Sequence, residues 1–397
     1  MTASESVSVG TGPIDVVDLC RNLIAAPSEN PPGNEMQVSR IAADVLCEAG
    51  FDVQWHEAEP GRPNLVARLK RGSGPRLIFQ AHSDTKPATP RGATNLWSVD
   101  PFRAEERDGL LYGLGACDTK GGLAAQLAAA RALTKDSTWS GELVVQAVAD
   151  EEDGSRLGAE HLLGLGLLDA DGAIVAEPTG CAASLAQLGN AWAEITIVGR
   201  AAHAGHPERG TDAFRVAQTY VSHVEQLLAH LKTDAEFPGH PRLNVGHLAM
   251  AGHPGTVPGE CLLRCDIRVL PGVERDDVFA IYENAADKVR RSSEVSILVE
   301  RYQGGGCQSH YIDPHHRLAE AVAQAQRATG QSIRTLPFTG GTDARYFAMA
   351  GTPALVYGPG SLEQAHAPDE YVSIAELRIA ERQLTLTALK FLGGQAA

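Results

Sequence analysis

The sequence predicts an α/β fold: a mostly parallel-sheet domain interrupted by an inserted α+β domain of ferredoxin-like type. Three observations predict it. Short apolar runs alternate with helical spacing through the first 185 residues. From residue 186 the order becomes strand–helix–strand–strand–helix–strand. After Gly304-Gly305-Gly306 the strand–helix alternation resumes. The expected divisions are therefore 1–185, 186–301 and 302–397, with the first and last forming one domain.

The elements follow in order. Residues 14–26 read as a short helix closed by the Pro27-Ser-Glu-Asn-Pro-Pro-Gly33 turn. Residues 35–49 place Val38, Ile41, Ala42, Val45 and Leu46 at helical spacing and stop at Gly50, a C-terminal cap. Residues 64–69 and 76–80 read as strands. Residues 119–134 are rich in Ala and Leu and open behind Gly121-Gly122, which predicts a buried helix. A strand is expected at 141–149, a helix at about 155–163 and a buried strand at 172–176. In the inserted domain the strands are 190–198, 243–250, 259–269 and 295–301, with helices at 211–231 and 276–291. The last part offers a helix at 315–329, a strand at 353–357 and a final helix at 374–392.

Bulk properties narrow the partners. The net charge is −15, with 43% hydrophobic and 21% charged residues. Such an acidic globular chain argues against nucleic acid or anionic membranes as partners. Seven scattered cysteines without a Cys-x-x-Cys pair suit free thiols in a reducing compartment. Residues 1–13 are polar, lack Lys and Arg and do not read as a signal or transit peptide. No window has the length of a membrane span. The expected location is the cytoplasm.

The chemistry sits at strand ends. His82 and Asp84 follow residues 76–80, Glu151 and Glu152 follow 141–149, and Glu177 follows 172–176. Asp118 follows the Gly113-Leu-Gly115 turn, and His366 lies near the C-terminus. Open α/β sheets present functional groups beyond the carboxyl ends of their strands. Taken singly, each residue has a plainer reading. His82-x-Asp84 suits a structural strand end, and Glu151-Glu152 suits a helix N-terminal charge. Asp118 and Glu177-Pro178 suit turns. Together they form an imidazole–carboxylate set suited to zinc, with cobalt or manganese as substitutes. Two His and three carboxylates exceed one tetrahedral ion with an open position. They suit two ions about 3.5–4 Å apart with a bridging carboxylate.

The ordered set resembles the di-zinc amidohydrolase and metallopeptidase family of acetylornithine deacetylase, succinyl-diaminopimelate desuccinylase, aminoacylase and glutamate carboxypeptidase. The matching segments are Phe79-Gln-Ala-His-Ser-Asp84, Tyr112-Gly-Leu-Gly-Ala-Cys-Asp-Thr-Lys-Gly-Gly122, Ala149-Asp-Glu-Glu152, Ala176-Glu-Pro-Thr179, Gly340-Gly-Thr-Asp343 and Gly358 to Glu370. The last of these is most similar to acetylornithine deacetylase. The resemblance implies that His82 and Glu177 bind one Zn²⁺, Glu152 and His366 the other, and Asp118 both. It implies that Asp84 holds the second nitrogen of His82 and that Glu151 is the general base.

It further implies that the inserted domain is a lid and dimerisation domain. His203, in Ala201-Ala-His-Ala-Gly205, would reach the site of the partner subunit in a homodimer and stabilise the oxyanion. A capping or loop His is the plainer reading. Asn244, Arg268 and Arg345 are candidate substrate contacts, each Arg equally readable as solvated or paired. Gly255 stands where the family usually carries an Asn, which puts a polar substrate contact in question.

The expected activity is removal of an N-acyl group from an amino acid or similar small amide. The rivals are a dipeptidase or exopeptidase on the same fold and a non-catalytic metal-binding homologue. Other motifs carry nothing. Gly113-Leu-Gly115 lacks the third glycine of a dinucleotide loop, and no Gly-x-Ser-x-Gly elbow exists. Cys117 reads as packing. His240, His247, His253, His310, His315 and His316 form no spaced ligand set.

Overall fold

In a computed structural model, residues 15–89, 94, 96–231, 241–250, 252–293 and 295–393 are described; residues 1–13 and His240 lie outside them. The chain divides into two compact units. One holds Met1–Leu185, Ile312–Phe338 and Thr342–Ala397; the other holds Ala186–Tyr311 and Thr339–Gly341.

The first unit is built on one large sheet. Its strands run in the order Asp52–Glu57, Pro63–Arg71, Gly141–Val148, Arg76–His82, Gly172–Val175, Ala354–Val356, Ala183–Gln187. The four in the middle are parallel. Both flanks are antiparallel. The first flank follows from chain length: the Ala58-Glu-Pro-Gly-Arg62 loop is too short for a parallel crossover.

Period-2 alternation makes the sheet two-faced. Leu77, Phe79, Ala81, Leu143, Val145 and Ala147 pack in one apolar cluster with the helices Val16–Ile24, Met36–Glu48, Gly121–Leu133 and Ile374–Leu392. Ile78, Val144 and Val148 point the other way, against Ala159, Leu162 and Phe347. Helices cover both faces, so the strands read as continuous apolar runs.

The second unit is a four-stranded antiparallel sheet. Its order is Leu243–Ala249, Glu260–Val269, Gly189–Val198, Ser296–Cys307. With helices Ala213–Leu228 and Arg275–Arg290, this is the ferredoxin-like order of second, third, first and fourth strand. Helical Val216, Tyr220, Val224 and Tyr282 pack on Ala191, Ala193, Ile195 and Ile197. Trp192, Glu194 and Thr196 alternate with them along the strand.

Three local expectations are corrected. The helix expected at 155–163 spans Ala159–Gly164, because Gly154 and Ser155 turn through positive φ of 107° and 64°. The strand expected to end at 301 runs on to Cys307 across a register shift between Arg301 and Gly306. Residues 302–311 accordingly belong to the second unit. A small sheet of Glu105–Arg107, Leu110–Tyr112 and Tyr371–Ser373 has no sequence signature, since strands this short carry no periodicity.

One buried polar residue ties this framework to the chain that follows strand Gly141–Val148. Asn64 is fully buried, donates to Leu157 O (2.7 Å) and His56 O (3.1 Å), and accepts from Ala149 N (3.0 Å). Asn64→Ala removes hydrogen bonds to one N–H and two carbonyls, so we expect a loss of about 2–3 kcal/mol. Denaturant unfolding measures it; a change under about 0.5 kcal/mol would show these bonds to be replaced by water.

Candidate metal centre

The central strands deliver the site. His82 is the last residue of Arg76–His82, and Glu177 lies just past Gly172–Val175. Strand Gly141–Val148 leads through Asp150, at φ 69°, into a tight turn over Glu151–Asp153. Asp118 sits in an irregular turn, Ala116–Lys120, ahead of helix Gly121–Leu133. His366, at φ 60°, precedes strand Tyr371–Ser373.

Two groups converge on Asp118. Ligand atoms of His82, Asp118 and Glu177 lie within 4.8 Å of one another, and so do those of Asp118, Glu152 and His366. His82 Nε2 is 3.0 Å from Asp118 Oδ1, and His366 Nε2 is 3.4 Å from Oδ2. His366 Nε2 also lies 3.0 Å from Glu152. His82, Asp118 and Glu177 are buried, while the His366 side chain is 48% exposed and opens the site to solvent.

The electrostatics show what the donor set lacks. Burial works to raise the Asp118 carboxyl, but bonds from His366 and His82 hold it well below the usual range. Burial pushes Glu177 well up, aided by Asp118 and Glu151. Glu151 is raised to about 8, first by burial and then by Asp343 and Glu152, against the pull of His82. The His366 imidazole is raised to about 10 by Asp118 and Glu152. Without cations, protons must gather on Glu151, Glu177 and both imidazoles to balance the acids. Divalent cations would take the place of those protons, so the residues present fit a metal pair.

Asp84 reaches both His82 and the glutamate turn. His82 Nδ1 lies 2.9 Å from the backbone oxygen of Asp84 and 3.5 Å from its Oδ1. The carboxylate also accepts from the backbone N–H groups of Glu151 (3.2 Å) and Glu152 (3.1 Å), and from Asn30 Nδ2 (2.8 Å). It therefore orients the glutamate turn as well as the imidazole. Asn30 reaches on to Asp150 (3.2 Å), which Arg62 also approaches (3.3 Å) while pairing with buried Glu35.

Several neighbours escaped the sequence reading. Lys86 Nζ lies 3.5 Å from Glu152 Oε2. Ser155 Oγ bonds Asp343 at 2.5 Å. Glu370 accepts from three backbone N–H groups around Asp118. Asp343 and Glu370 lie in the Gly340–Asp343 and Gly358–Glu370 segments, but no spacing rule pairs residues so far apart. Arg345, the substrate candidate of this unit, bonds Ser155 Oγ (3.1 Å) and stacks over Tyr346, 4.7 Å from the ring centroid.

The other candidates lie in the second unit. His203 is exposed in a two-residue strand opposite Thr256, its Nδ1 accepting from Gly205 N (3.0 Å). That bond leaves the ring proton on Nε2 of the neutral imidazole. Asn244 faces Asp266 across a strand pair, and Arg268 Nε pairs with Asp266 at 2.9 Å.

A family model, peptidase family M20/M25/M40, matches residues 78–390. The acetylornithine deacetylase of Proteus mirabilis is 32% identical over 375 residues, covering 90% of this chain and 92% of that protein. Aminopeptidase PepT of Bacillus cereus superposes with a TM-score of 0.77 at 19% identity, covering 95% and 98% of the two chains. A dinuclear metal-binding peptidase of family M20 from Bacillus subtilis gives 0.72 at 16%, covering 95% and 97%. No described helix is long and apolar enough to cross a membrane.

The raised groups predict a pH signature for metal-free protein. Glu151 stabilises the fold fully below its ordinary 4.5 and loses that contribution as pH rises through about 8. His366 behaves alike between 6.5 and about 10. Both shifts have the same sign, so the chelator-treated protein should melt at progressively lower temperature from about pH 5 to pH 9. Divalent cation should flatten the profile. Scanning calorimetry with and without ion tests this; a metal-free melting temperature that climbs over that range would contradict it.

Proposed function

The chain belongs to peptidase family M20/M25/M40, hydrolases of amide bonds, and on that premise we propose that it removes an N-acyl group from an amino acid or similar small amide. The products are a carboxylate and an amine. The observation that carries this reading is Asp118 shared between two ligand triads, with Glu151 beside them. In this proposal His82 and Glu177 would hold one Zn²⁺, Glu152 and His366 would hold the other, and Asp118 would serve both. Co²⁺ or Mn²⁺ would serve as substitutes. When bound, such a pair supplies Lewis acidity to the amide carbonyl and makes a nearby water more acidic.

The chain's own residues do the rest. Glu151 takes a proton from the attacking water on a carboxylate oxygen and passes it to the leaving nitrogen. Its value of about 8 without cations describes a carboxylate that cations would bring down toward neutral pH. Asp84 keeps Glu151 and Glu152 in place through their backbone N–H groups. His203 donates from Nε2 to the oxyanion in the partner subunit of a homodimer. Arg345, steadied by Ser155 and Tyr346, takes a substrate carboxylate, with Arg268 and Asn244 as further contacts. Gly255 supplies no side chain, so a polar substrate contact that an Asn there would make is absent or comes from elsewhere. The protein acts on small molecules in the cytoplasm, with acetylornithine-like substrates favoured by the Proteus relative.

An exopeptidase or dipeptidase is the second reading, favoured by the likeness to PepT. Initial rates on N-acetyl amino acids against dipeptides separate the two; faster dipeptide cleavage throughout would displace the deacylase reading.

Glu151→Gln should keep wild-type metal content and lose about 100- to 10,000-fold in kcat. Normal turnover in that variant would refute the assignment. For His203, mixed subunits give the test. His203→Ala and Glu151→Gln proteins, each nearly inactive, should regain activity when unfolded together and refolded, because one mixed site holds both intact groups. No recovery in verified mixed dimers would refute action across subunits.

A further inference from the structure

We infer that Glu370 is a positioning residue for the metal pair, fixing the shared ligand Asp118 and the His366 segment to one another. The inference rests on the metal reading above. Glu370 is buried, and its carboxylate faces the protein backbone rather than the ligand atoms. Oε2 accepts from Gly115 N at 2.9 Å, and Oε1 accepts from Cys117 N at 2.8 Å and Asp118 N at 3.0 Å.

The turn needs that support. Asp118 (φ −123°, ψ 86°) and Thr119 (φ −136°, ψ 32°) are not helical, so helix hydrogen bonds cannot hold the backbone there. Three N–H groups in a buried turn require acceptors, and two carboxylate oxygens can serve all three. Lys120 Nζ anchors the far end of the turn on Ala26 O at 2.8 Å.

Glu370 also belongs to the segment that carries His366. Its own backbone oxygen accepts from Gly113 N at 2.9 Å, and the next residue, Tyr371, pairs with Tyr112. One residue thus joins two ligands that are far apart in sequence. A glutamine at this place would offer one acceptor oxygen and set an N–H₂ group against backbone donors.

The test uses full-length protein stripped by chelator and titrated with Co²⁺ and Zn²⁺ against a competing indicator. Wild type should take up two ions per chain. Glu370→Gln should stay folded by circular dichroism, bind roughly 10- to 100-fold more weakly, and show an altered Co²⁺ absorption spectrum. Glu370→Asp, which keeps both oxygens, should recover part of that loss. Glu376→Gln removes a comparable carboxylate-to-backbone bond, to Gly360 N at 2.7 Å, and should leave affinity and spectrum unchanged. Wild-type affinity and spectrum in both Glu370 variants, with only a lower melting temperature, would overturn the inference. Should Glu370→Gln not fold, Glu370→Asp decides by the same measure. Wild type that takes up no ion would instead sink the metal reading, a distinct result.

Discussion

Like charge crowded into a buried space is the constraint on which this molecule turns. Asp118, Glu151, Glu152 and Glu177 act on one another, with His82 and His366 opposite them, Lys86 beside Glu152 and Arg345 acting on Glu151. Two unit charges about 4 Å apart interact by about 4 kcal/mol at an effective dielectric constant of ~20. Left to itself such a cluster collects protons, which is the direction in which Glu151 and Glu177 are pushed. A cluster of that kind costs stability, a cost characteristic of sites kept for chemistry.

The fold meets the constraint with rigid strands. Parallel strands from the middle of the sheet end side by side, so His82, Glu151 and Glu177 reach one edge without long loops. Close packing behind that edge leaves little slack. A Cβ on Gly358 would come within 2.6 Å of the Glu177 backbone oxygen, and one on Gly158 within 1.9 Å of Ala149 O. The glycines permit the strand ends and their following turns to touch. Precision at the acids depends on that contact.

What the sequence revealed follows from what its patterns encode. The buried helix Gly121–Leu133 and the apolar strands were legible because burial on two faces leaves uninterrupted apolar runs. The candidate ligands were legible because strand ends give order and a known set of residue types. Orientation was not legible. Asp84 stands beside His82 in sequence, yet its carboxylate takes the backbone of Glu151 and Glu152, a relation created only when two neighbouring strands align. The turn at 154–158 replaced a helical start because Ser155 points inward to Asp343, which a one-dimensional period cannot register.

Two carboxylates that take backbone N–H groups explain how the cluster holds its shape. Asp84 gathers the N–H groups of Glu151 and Glu152, and Glu370 gathers those of Gly115, Cys117 and Asp118. Each is an acid used as an acceptor for backbone. The choice adds negative charge to an already acidic place, where a neutral acceptor would add none. A carboxylate, however, has two oxygens with several lone pairs and binds N–H groups more strongly than an amide oxygen does. At Asp84 a firm turn and surplus negative charge come from the same residue, while burial pushes the Glu370 carboxyl up to about 7. That surplus deepens the well for divalent cations, so the groups that order the ligands also favour the ions those ligands are suited to hold.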